Sequence, residues 1–425
     1  MTVNSTSKNL LWLALGVAAF VVSWTYMHRV LLPWEHYVNV TRGKVKSQMG
    51  DLYPRWVGAR ELLLHGKNPY GEEVSHEIQI AFYGHPITQS YDQPASEIVD
   101  EQRFVYPVYV VFLLAPAVHT DFDKLQRWAP LLLGALVVAS VWLWMGVLRW
   151  KPTFLLTTAI VLFVVSSPQI AQGLRLRQFG LLVAFLLALA VWCVVRGRHF
   201  LAGVLLAIAT IKPQMVSLCL IWFLIWSVGG WRKKWPLSAG FCISLGALTA
   251  AGAWLVPGWP KYFFEGLEAY RKYFPTTSIL RLILGNWIGG GLSLALVGGL
   301  LIYAWSKRRI GADSPEFLQV LAWFFVATTL LMPLLTPYNQ VLLLLPILML
   351  IREWSIASRW ERFVFAALVS WPTLVSFVLL VHSPETQSIN RTPLLPSTLL
   401  LLFPFFSAWF LFRRRVLSSP LAVSP

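Results

Sequence analysis

Charge, acidic residues and cysteine are all scarce in this 425-residue chain. Only 13% of its residues are charged, whereas 57% are hydrophobic and fall in blocks that approach the roughly 20 residues needed to cross a bilayer. This composition excludes an ordinary soluble protein. The net charge of +16 would suggest a nucleic-acid partner in a soluble chain, but here the basic residues form short clusters between apolar blocks, as in cytoplasmic loops. We therefore predict a surrounding lipid bilayer and no nucleic-acid partner.

Acidic residues are missing from the middle of the chain, because no Asp or Glu lies between Asp123 and Glu265. A membrane enzyme that uses a carboxylate to remove a proton from a hydroxyl group would have to find it mainly in the polar loop that carries Asp51. The acidic pair Asp121 and Asp123 lies in a short polar segment between two apolar blocks. A solvated turn is expected there rather than a site.

The three cysteines, Cys193, Cys219 and Cys242, all fall inside apolar blocks. Their spacing matches neither a metal site nor a disulfide framework, so we predict packing residues. No set of His and Cys residues and no carboxylate cluster stands near Asp51 in the sequence. We therefore predict no cofactor and no obligatory metal, with lysine and arginine neutralising any phosphate ligand instead.

The apolar blocks predict an all-α polytopic integral membrane protein in which residues 1–425 form a single membrane domain. Placing every basic cluster in the cytoplasm requires about twelve transmembrane helices, with both termini inside. The first span is predicted over residues 10–26, with no cleavable signal peptide. The other spans are predicted at residues 127–148, 153–167, 179–195, 200–211, 215–228, 236–255, 287–305, 317–334, 341–351, 363–381 and 396–412.

Residues 28–127 form one large extracytoplasmic loop in this topology. An amphipathic helix is predicted over 55–65, with a proline near its first turn and a glycine at its end. A turn is expected at 68–71, followed by a polar loop over 72–100. The apolar segment 104–118 is short for a crossing, and a crossing there would invert every downstream basic cluster. It therefore predicts a re-entrant or interfacial helix.

Three breaks interrupt short apolar blocks on the same side as Asp51. They lie at residues 168–178, at 212–214 and at 336–340, and each carries proline and polar side chains. Irregular backbone at membrane depth is tolerated only where it is buried in protein or lines a wet cavity. The pattern therefore predicts an outward-facing cavity with Asp51 above it.

Four segments of the chain together resemble one known family. They are GDLYPRWVGARELLLHGKNPYG at 50–71, RFVYPVYVVFLLAPAV at 103–118, GLRLRQFGLLVAFLLALA at 173–190 and RGRHFLAGVLLAIATIKPQ at 196–214. In order and spacing they resemble glycosyltransferase family 87, which includes polyprenyl-phosphomannose-dependent mannosyltransferases and related arabinofuranosyltransferases. The resemblance implies an integral-membrane GT-C fold, a polyprenyl-phosphate sugar as donor, and a glycolipid or glycan as acceptor.

The resemblance also implies roles for individual residues. Asp51 matches the acidic residue of the first extracytoplasmic loop, which serves as catalytic base in GT-C enzymes. Other residues match family segments, namely Tyr70 in a D/N-P-Y turn, Tyr106 and Pro107 in an F-x-Y-P segment, Gln178 at the start of a span, and the pair Lys212-Pro213. Where many relatives carry Gly-Gln, this chain departs from the pattern with Arg177-Gln178, preceded by Arg175.

The charged residues each have a structural alternative. Asp51 precedes the predicted helix and is a natural N-cap. The Lys212 ammonium would either snorkel to the membrane interface or bind a phosphate in the cavity. Arg175 and Arg177 offer bidentate forks to phosphate oxygens, or one of them merely faces lipid headgroups. Arg281, near the outer end of a later span, is a weaker candidate for phosphate binding.

Polar and aromatic residues near the breaks are the predicted sugar ligands. Tyr70, Tyr106 and Tyr338 can stack on a sugar ring or bond its hydroxyls, but tyrosine is also enriched at membrane interfaces. Asn339 and Gln340 can complete the sugar site, or they can cap the span that follows.

Residues and resemblance together predict an inverting glycosyltransferase of the plasma membrane with an extracytoplasmic active site. It would move mannose, or another hexose or pentose, from a polyprenyl phosphate to a lipid-linked or cell-envelope glycan. Two alternatives stay open. One is a lipid or solute transporter, a class that often shows matching halves, although this chain has no convincing internal repeat. The other is a ligase that joins whole glycans to an acceptor.

Overall fold

The computed structural model describes residues 5–41, 43, 49–87, 100–273, 277–332, 336–354, 357–382 and 402–413. Its regular elements over these residues are helices, as the apolar blocks predict. The first helix, α1 (Ser5–Tyr26), passes through a π-helical turn, Met27–Leu31, into α2 (Leu32–Thr41). The helical path therefore extends past residue 28, where the large loop is predicted to begin.

After α2, the described part of the first loop contains the helices α3 (Leu52–His65), α4 (Glu72–Tyr83) and the short α5 (Val110–Leu114), which continues into a 3-10 turn at Ala115–Ala117. Helix α3 contains the predicted helix 55–65 and begins three residues earlier, whereas its amphipathic character stays a prediction, because Trp56, Val57, Gly58 and Ala59 are buried one after another. Gly66 ends it with a φ of 68°, in the left-handed region that favours glycine.

One prediction for this loop is wrong in its first half, because the polar loop expected over 72–100 begins with helix α4. Val74, Ile78 and Phe82 recur at helical spacing and are buried, so a mostly polar segment still has one apolar face. Residues 88–99 of the same prediction lie outside the described residues.

The re-entrant helix predicted over 104–118 is also wrong in length. Residues 104–107 do not form a helix, and Pro107 has no N–H to contribute to a helical turn there. Phe104 and residues 106–111 are nevertheless buried, whereas Phe112 and Leu113 are exposed. The segment is an irregular stretch followed by the short helix α5 rather than one continuous helix.

The remaining helices follow in chain order: α6 (Phe122–Val147), α7 (Phe154–Ser166), α8 (Pro168–Arg175), α9 (Phe179–Val195), α10 (His199–Ala209), α11 (Pro213–Val228), α12 (Trp231–Leu255), α13 (Trp259–Tyr273), α14 (Ile279–Lys307), α15 (Pro315–Leu331), α16 (Leu344–Arg352), α17 (Arg359–His382) and α18 (Leu402–Arg413). A 3-10 segment, Pro337–Leu343, precedes α16. The amphipathic helix α13 has no counterpart among the predicted helices.

Local sequence explains how several of these helices begin. The Asp121 carboxylate accepts a hydrogen bond from the Asp123 N–H at 2.7 Å, so the acidic pair predicted as a turn caps α6. Ser314 caps α15 through the N–H of Phe317, with a proline at the first helical position.

Within the described residues, five helical stretches are long and apolar enough to cross a membrane, namely α1 with α2, α6, α12, α14 and α17. Helices α7 and α8, bent by 61° at their junction, would make a sixth if they form one broken span. Shorter apolar helices occupy the other predicted spans among the described residues. The helices support a multi-pass membrane protein, while the count of twelve spans stays a prediction.

The centre of the bundle is aromatic. Trp222 of α11 is fully buried and packs on Phe317 and Phe324 of α15, with ring centroids 5.7 and 6.2 Å apart. Cys193 of α9 and Cys219 of α11 are buried, as predicted for packing residues. Cys242 of α12 is exposed, so its predicted packing role is wrong.

Basic clusters meet at one end of the bundle. The Lys234 ammonium lies 3.3 Å from the carbonyl oxygen of Arg308, and His199 Nδ1 lies 3.0 Å from that of Lys233. We call this the basic end. Helix α10 starts there at His199 and runs to Ala209, so the break before α11 lies at the opposite end.

Candidate functional site

Four chain segments meet at the end opposite the basic end, which we call the site end. They carry Asp51 before α3, Gln178 before α9, Lys212 before α11, and Tyr338 with Asn339 in the 3-10 segment. The Asp51 N–H donates to the carbonyl oxygen of Leu176 at 3.0 Å, which ties the first loop to the break before α9. The three sequence breaks and the first loop therefore form one site, as their common side predicts.

The Lys212 side chain is buried, with 4% of its surface exposed. Its ammonium donates to Gln178 Oε1 and to Asn339 Oδ1, both at 3.0 Å, and lies 4.6 Å from the centre of the Tyr338 ring. This ammonium points into the protein rather than toward the lipid interface. Of the two predicted fates of Lys212, the geometry therefore disfavours snorkelling, and phosphate contact stays a prediction.

Gly180 makes room for this cluster. A Cβ atom at this position would lie 3.1 Å from Asn339 Oδ1 and 3.2 Å from Lys212 Nζ. Any larger residue in the first turn of α9 would press on both polar groups. The absence of a side chain lets the ammonium sit between α9 and the 3-10 segment.

Asp51 occupies the N-cap position of α3, but its side chain makes no capping hydrogen bond. The residue is half-buried, and its carboxylate forms no hydrogen bond or ion pair with any part of the chain that the structure describes. It lies within electrostatic range of Lys212, Tyr106 and Tyr338. The helix-capping alternative thus does not account for the carboxylate.

Arg55 is the charged residue that the sequence reasoning missed. It lies one helical turn after Asp51, and its Nη1 donates to the Asp51 carbonyl oxygen. Its guanidinium carbon is 4.5 Å from the centre of the Tyr106 ring. The spacing of four residues from Asp51 was the available sequence signal, because it places both residues on one face of a helix.

Arg175 and Arg177 are both engaged by the protein. The Arg175 guanidinium forms an ion pair with Glu35 of α2. Arg177 adopts a positive φ of 52°, and its guanidinium donates to the carbonyl oxygens of Gln126, at 3.2 Å, and Arg175, at 3.0 Å. These contacts hold the break before α9 to α2 and α6, and the predicted phosphate role of both arginines stays a prediction.

The predicted tyrosines have different surroundings. Tyr106 and Tyr338 are buried beside Arg55 and Lys212. The Tyr70 hydroxyl instead donates to the Tyr106 carbonyl oxygen at 2.6 Å, and burial raises the pKa of this hydroxyl, which keeps it a proton donor. Tyr70 therefore holds the backbone at Tyr106 in place.

Gln340 lies at the edge of the site. Its Oε1 accepts a hydrogen bond from Gln169 Nε2 at 3.3 Å, which joins the 3-10 segment to α8. Tyr270 of the unpredicted helix α13 is a second missed residue, because it lies within electrostatic range of Asp51 and Tyr338. No sequence signal for Tyr270 was available, since α13 itself was not predicted.

An apolar cavity of about 280 Å³ lies next to this polar site. Its wall includes Thr210, two positions before Lys212, Pro213, directly after Lys212, and Pro107, which follows Tyr106. The rest of the lining is largely aromatic and aliphatic, including Val216, Leu220, Phe241, Trp259 and Phe263. The described residues contain no group of three or more His, Cys, Asp or Glu side chains that could hold a metal ion.

Fold and site together define a helical, multi-pass membrane protein with a carboxylate, two cations and an apolar cavity at one end of its bundle. A family model places it more narrowly, since the model of glycosyltransferase family 87 matches residues 104–337, more than half of the chain. The chain belongs to this family and is a glycosyltransferase. The matched residues include Tyr106, Gln178 and Lys212, whereas Asp51 precedes them and Tyr338 follows them. No curated protein and no solved structure matches the chain.

Proposed function

We propose that the protein transfers a sugar, mannose or another hexose or pentose, from a polyprenyl-phosphate donor to a lipid-linked or cell-envelope glycan. The reaction would take place with inversion at the extracytoplasmic face of the plasma membrane. The observation that carries the proposal is the placement of Asp51, a carboxylate without a hydrogen-bond partner in the described chain, within electrostatic range of the buried ammonium of Lys212.

Asp51 is the proposed general base. The acceptor hydroxyl gives its proton to the Asp51 carboxylate while its oxygen bonds to the anomeric carbon of the donor sugar. The bond between that carbon and the phosphate oxygen breaks on the opposite face, which inverts the anomeric configuration. Because the carboxylate has no competing hydrogen bond in the described chain, it is available to a bound hydroxyl.

Lys212 is the proposed ligand of the leaving phosphate. The polyprenyl phosphate departs with an additional negative charge, and a fixed ammonium in a shielded site stabilises that charge more than water would. Gln178 and Asn339 hold the ammonium from two sides, and both acceptors are side-chain amides. Either amide can rotate toward a sugar hydroxyl when a phosphate oxygen takes its place.

The apolar cavity is the proposed seat of the first part of the polyprenyl tail. Its wall includes Thr210, two positions before Lys212, and Pro213, directly after it, so a phosphate at Lys212 would have its lipid tail near an apolar wall. This arrangement matches an amphiphilic donor better than a nucleotide sugar, which carries no apolar tail.

The proposal is tested with the purified full-length protein in liposomes. A panel of polyprenyl-phosphate sugars is supplied together with membrane glycolipids as acceptors, and products are followed by mass spectrometry. We expect one donor to yield a glycolipid heavier by one sugar, together with free polyprenyl phosphate. Liposomes that contain the Asp51→Asn protein are the matched control, and nucleotide sugars should yield no product.

Other results would contradict the proposal in distinct ways. Movement of labelled lipid between leaflets without a new glycosidic bond would indicate a transporter. Transfer of a whole glycan in one step would indicate a ligase. A product that forms equally well with nucleotide sugars would remove the polyprenyl-phosphate donor.

A further inference from the structure

Arg55 has a position that the proposed function does not use. It lies on α3, and its guanidinium reaches the Asp51 carbonyl oxygen and the ring of Tyr106. Its Nε atom is shielded from solvent and has no hydrogen-bond partner among the residues that the structure describes. A guanidinium offers five N–H donors, and leaving one of them buried and unpaired costs free energy unless a ligand accepts it.

The charge balance of the site points to an anion. Arg55 and Lys212 lie within electrostatic range of each other and of Asp51. Neither cation forms an ion pair with a carboxylate among the described residues, in contrast to Arg175, which is paired with Glu35. Two positive charges thus face one negative charge in a small, partly shielded space, and one further negative charge would balance them.

The two cations also lie on different segments. Arg55 extends from α3, and Lys212 precedes α11. Tyr106 lies against Arg55, and Tyr338 lies against Lys212. A tetrahedral phosphate has oxygens that point in different directions, so two cations on separate elements can bind it at the same time, one as a fork and one as a point charge.

We propose that Arg55 is a second phosphate-binding residue, whose Nε and Nη groups donate to the leaving phosphate while Lys212 binds another of its oxygens. This inference rests on the proposed function, because it takes the phosphate of the polyprenyl donor as the ligand. It assigns Arg55 direct contact with the substrate, beyond its bond to the Asp51 carbonyl.

Binding of farnesyl phosphate to the purified full-length protein tests the inference without requiring transfer. Farnesol, which has the same tail and no phosphate, is the matched ligand. We compare the wild type with Arg55→Gln, Arg55→Lys and, as a control, Arg60→Gln. Arg60 lies on the same helix and stacks on Trp56, 5.4 Å from that ring.

We expect the wild type to prefer farnesyl phosphate over farnesol, and Arg55→Gln to weaken binding of farnesyl phosphate about 10- to 100-fold, the scale of losing charge-assisted hydrogen bonds. Farnesol binding should not change, and Arg60→Gln should bind both ligands like the wild type. Arg55→Lys keeps the charge but lacks the fork, so it should be weaker than the wild type and tighter than Arg55→Gln.

Unchanged farnesyl phosphate binding by folded Arg55→Gln would overturn the inference, even if transfer fell, because Arg55 would then only position Asp51. If Arg55→Gln does not fold, wild-type affinity in folded Arg55→Lys would overturn it instead. A wild type that binds farnesol and farnesyl phosphate equally would count against the lipid-phosphate donor, and so against the proposed function itself.

Discussion

Lys212 at the site end and Lys234 at the basic end both lie at the start of a helix, where the macrodipole disfavours a cation. Their partners differ. Lys212 is held by two side-chain amide oxygens and the face of Tyr338, whereas Lys234 donates to three backbone carbonyl oxygens at 3.2–3.3 Å and lies 3.8 Å from the centre of the Trp226 ring.

We interpret this difference as one between a structural cation, Lys234, and a cation whose partners can be exchanged for a ligand, Lys212. Backbone carbonyls move only with the chain, so Lys234 connects the start of α12 to the segment after α14 in one fixed arrangement. Side-chain amides can rotate, so the partners of Lys212 can be exchanged for a ligand without moving a helix. We therefore expect substitutions at the site end to change chemistry and binding, and substitutions at the basic end to change stability.

The largest effect is expected for Asp51→Asn, which should reduce transfer by a factor of about 100 or more, as for loss of a general base. Asparagine retains the shape of the side chain and a good N-cap preference, so α3 should stay folded. The measurement is turnover of a polyprenyl-phosphate sugar in liposomes, together with thermal unfolding of the variant. The loss should appear in turnover rather than in donor binding.

Near-native turnover in folded Asp51→Asn protein would exclude Asp51 as the general base. It would also contradict the expectation that substitutions at the site end change chemistry. Asp123→Asn is the matched control. That residue lies in the first turn of α6, is exposed, and accepts a hydrogen bond from Gln126. Its substitution should leave turnover unchanged.

Much of the bundle could be predicted from the sequence, because apolar blocks and proline breaks act locally. The helix Phe179–Val195 has the predicted bounds, and Lys212-Pro213 begins a helix at the predicted break. The common side of the three breaks and Asp51 also followed from the alternation of basic clusters. The bounds of a helix depend on the composition of one segment, and the common side of the breaks depends on the order of the segments along the chain.

Contacts between distant segments could not be predicted in the same way. Pairing of Arg175 with Glu35 depends on where α2 passes, and α2 lies in a region predicted as loop. Arg55 lies within a helix that the sequence predicts to be amphipathic, where an arginine is ordinarily solvated. Its importance depends on Tyr106, which is 51 positions away in sequence and packs beside it in the folded protein.

A smaller effect is expected for Lys212→Ala, which removes the available cation. We expect the apparent Michaelis constant for the lipid-phosphate donor to rise about 10- to 100-fold, since a charge-assisted contact to phosphate is lost. Donor titrations in liposomes measure this change, with unfolding curves as a check on folding. Lys124→Ala, at an exposed lysine near the start of α6, is the matched control and should behave like the wild type.

Unchanged donor affinity and normal turnover in Lys212→Ala would exclude a phosphate role for this residue. Lower stability with unchanged kinetics would place Lys212 in the same class as Lys234, and the contrast between the two ends would disappear. Because Gln178 and Asn339 would each lose a donor, some loss of stability is expected in either case.

The smallest effect on activity is expected for Lys234→Met, which retains an apolar stem against Trp226 but removes the ammonium. Three carbonyl oxygens lose a shared donor, so the free energy of unfolding should fall by about 1–3 kcal/mol. Transfer per folded molecule should stay at the wild-type value. Denaturant titration in detergent measures the free energy of unfolding, and activity normalised to folded protein measures transfer.

Lys233→Met, at the exposed neighbouring lysine, is the matched control, because it removes a positive charge without removing the contacts of Lys234. A change in donor affinity caused by Lys234→Met alone would mean that the basic end communicates with the site, and the two lysines would no longer be independent.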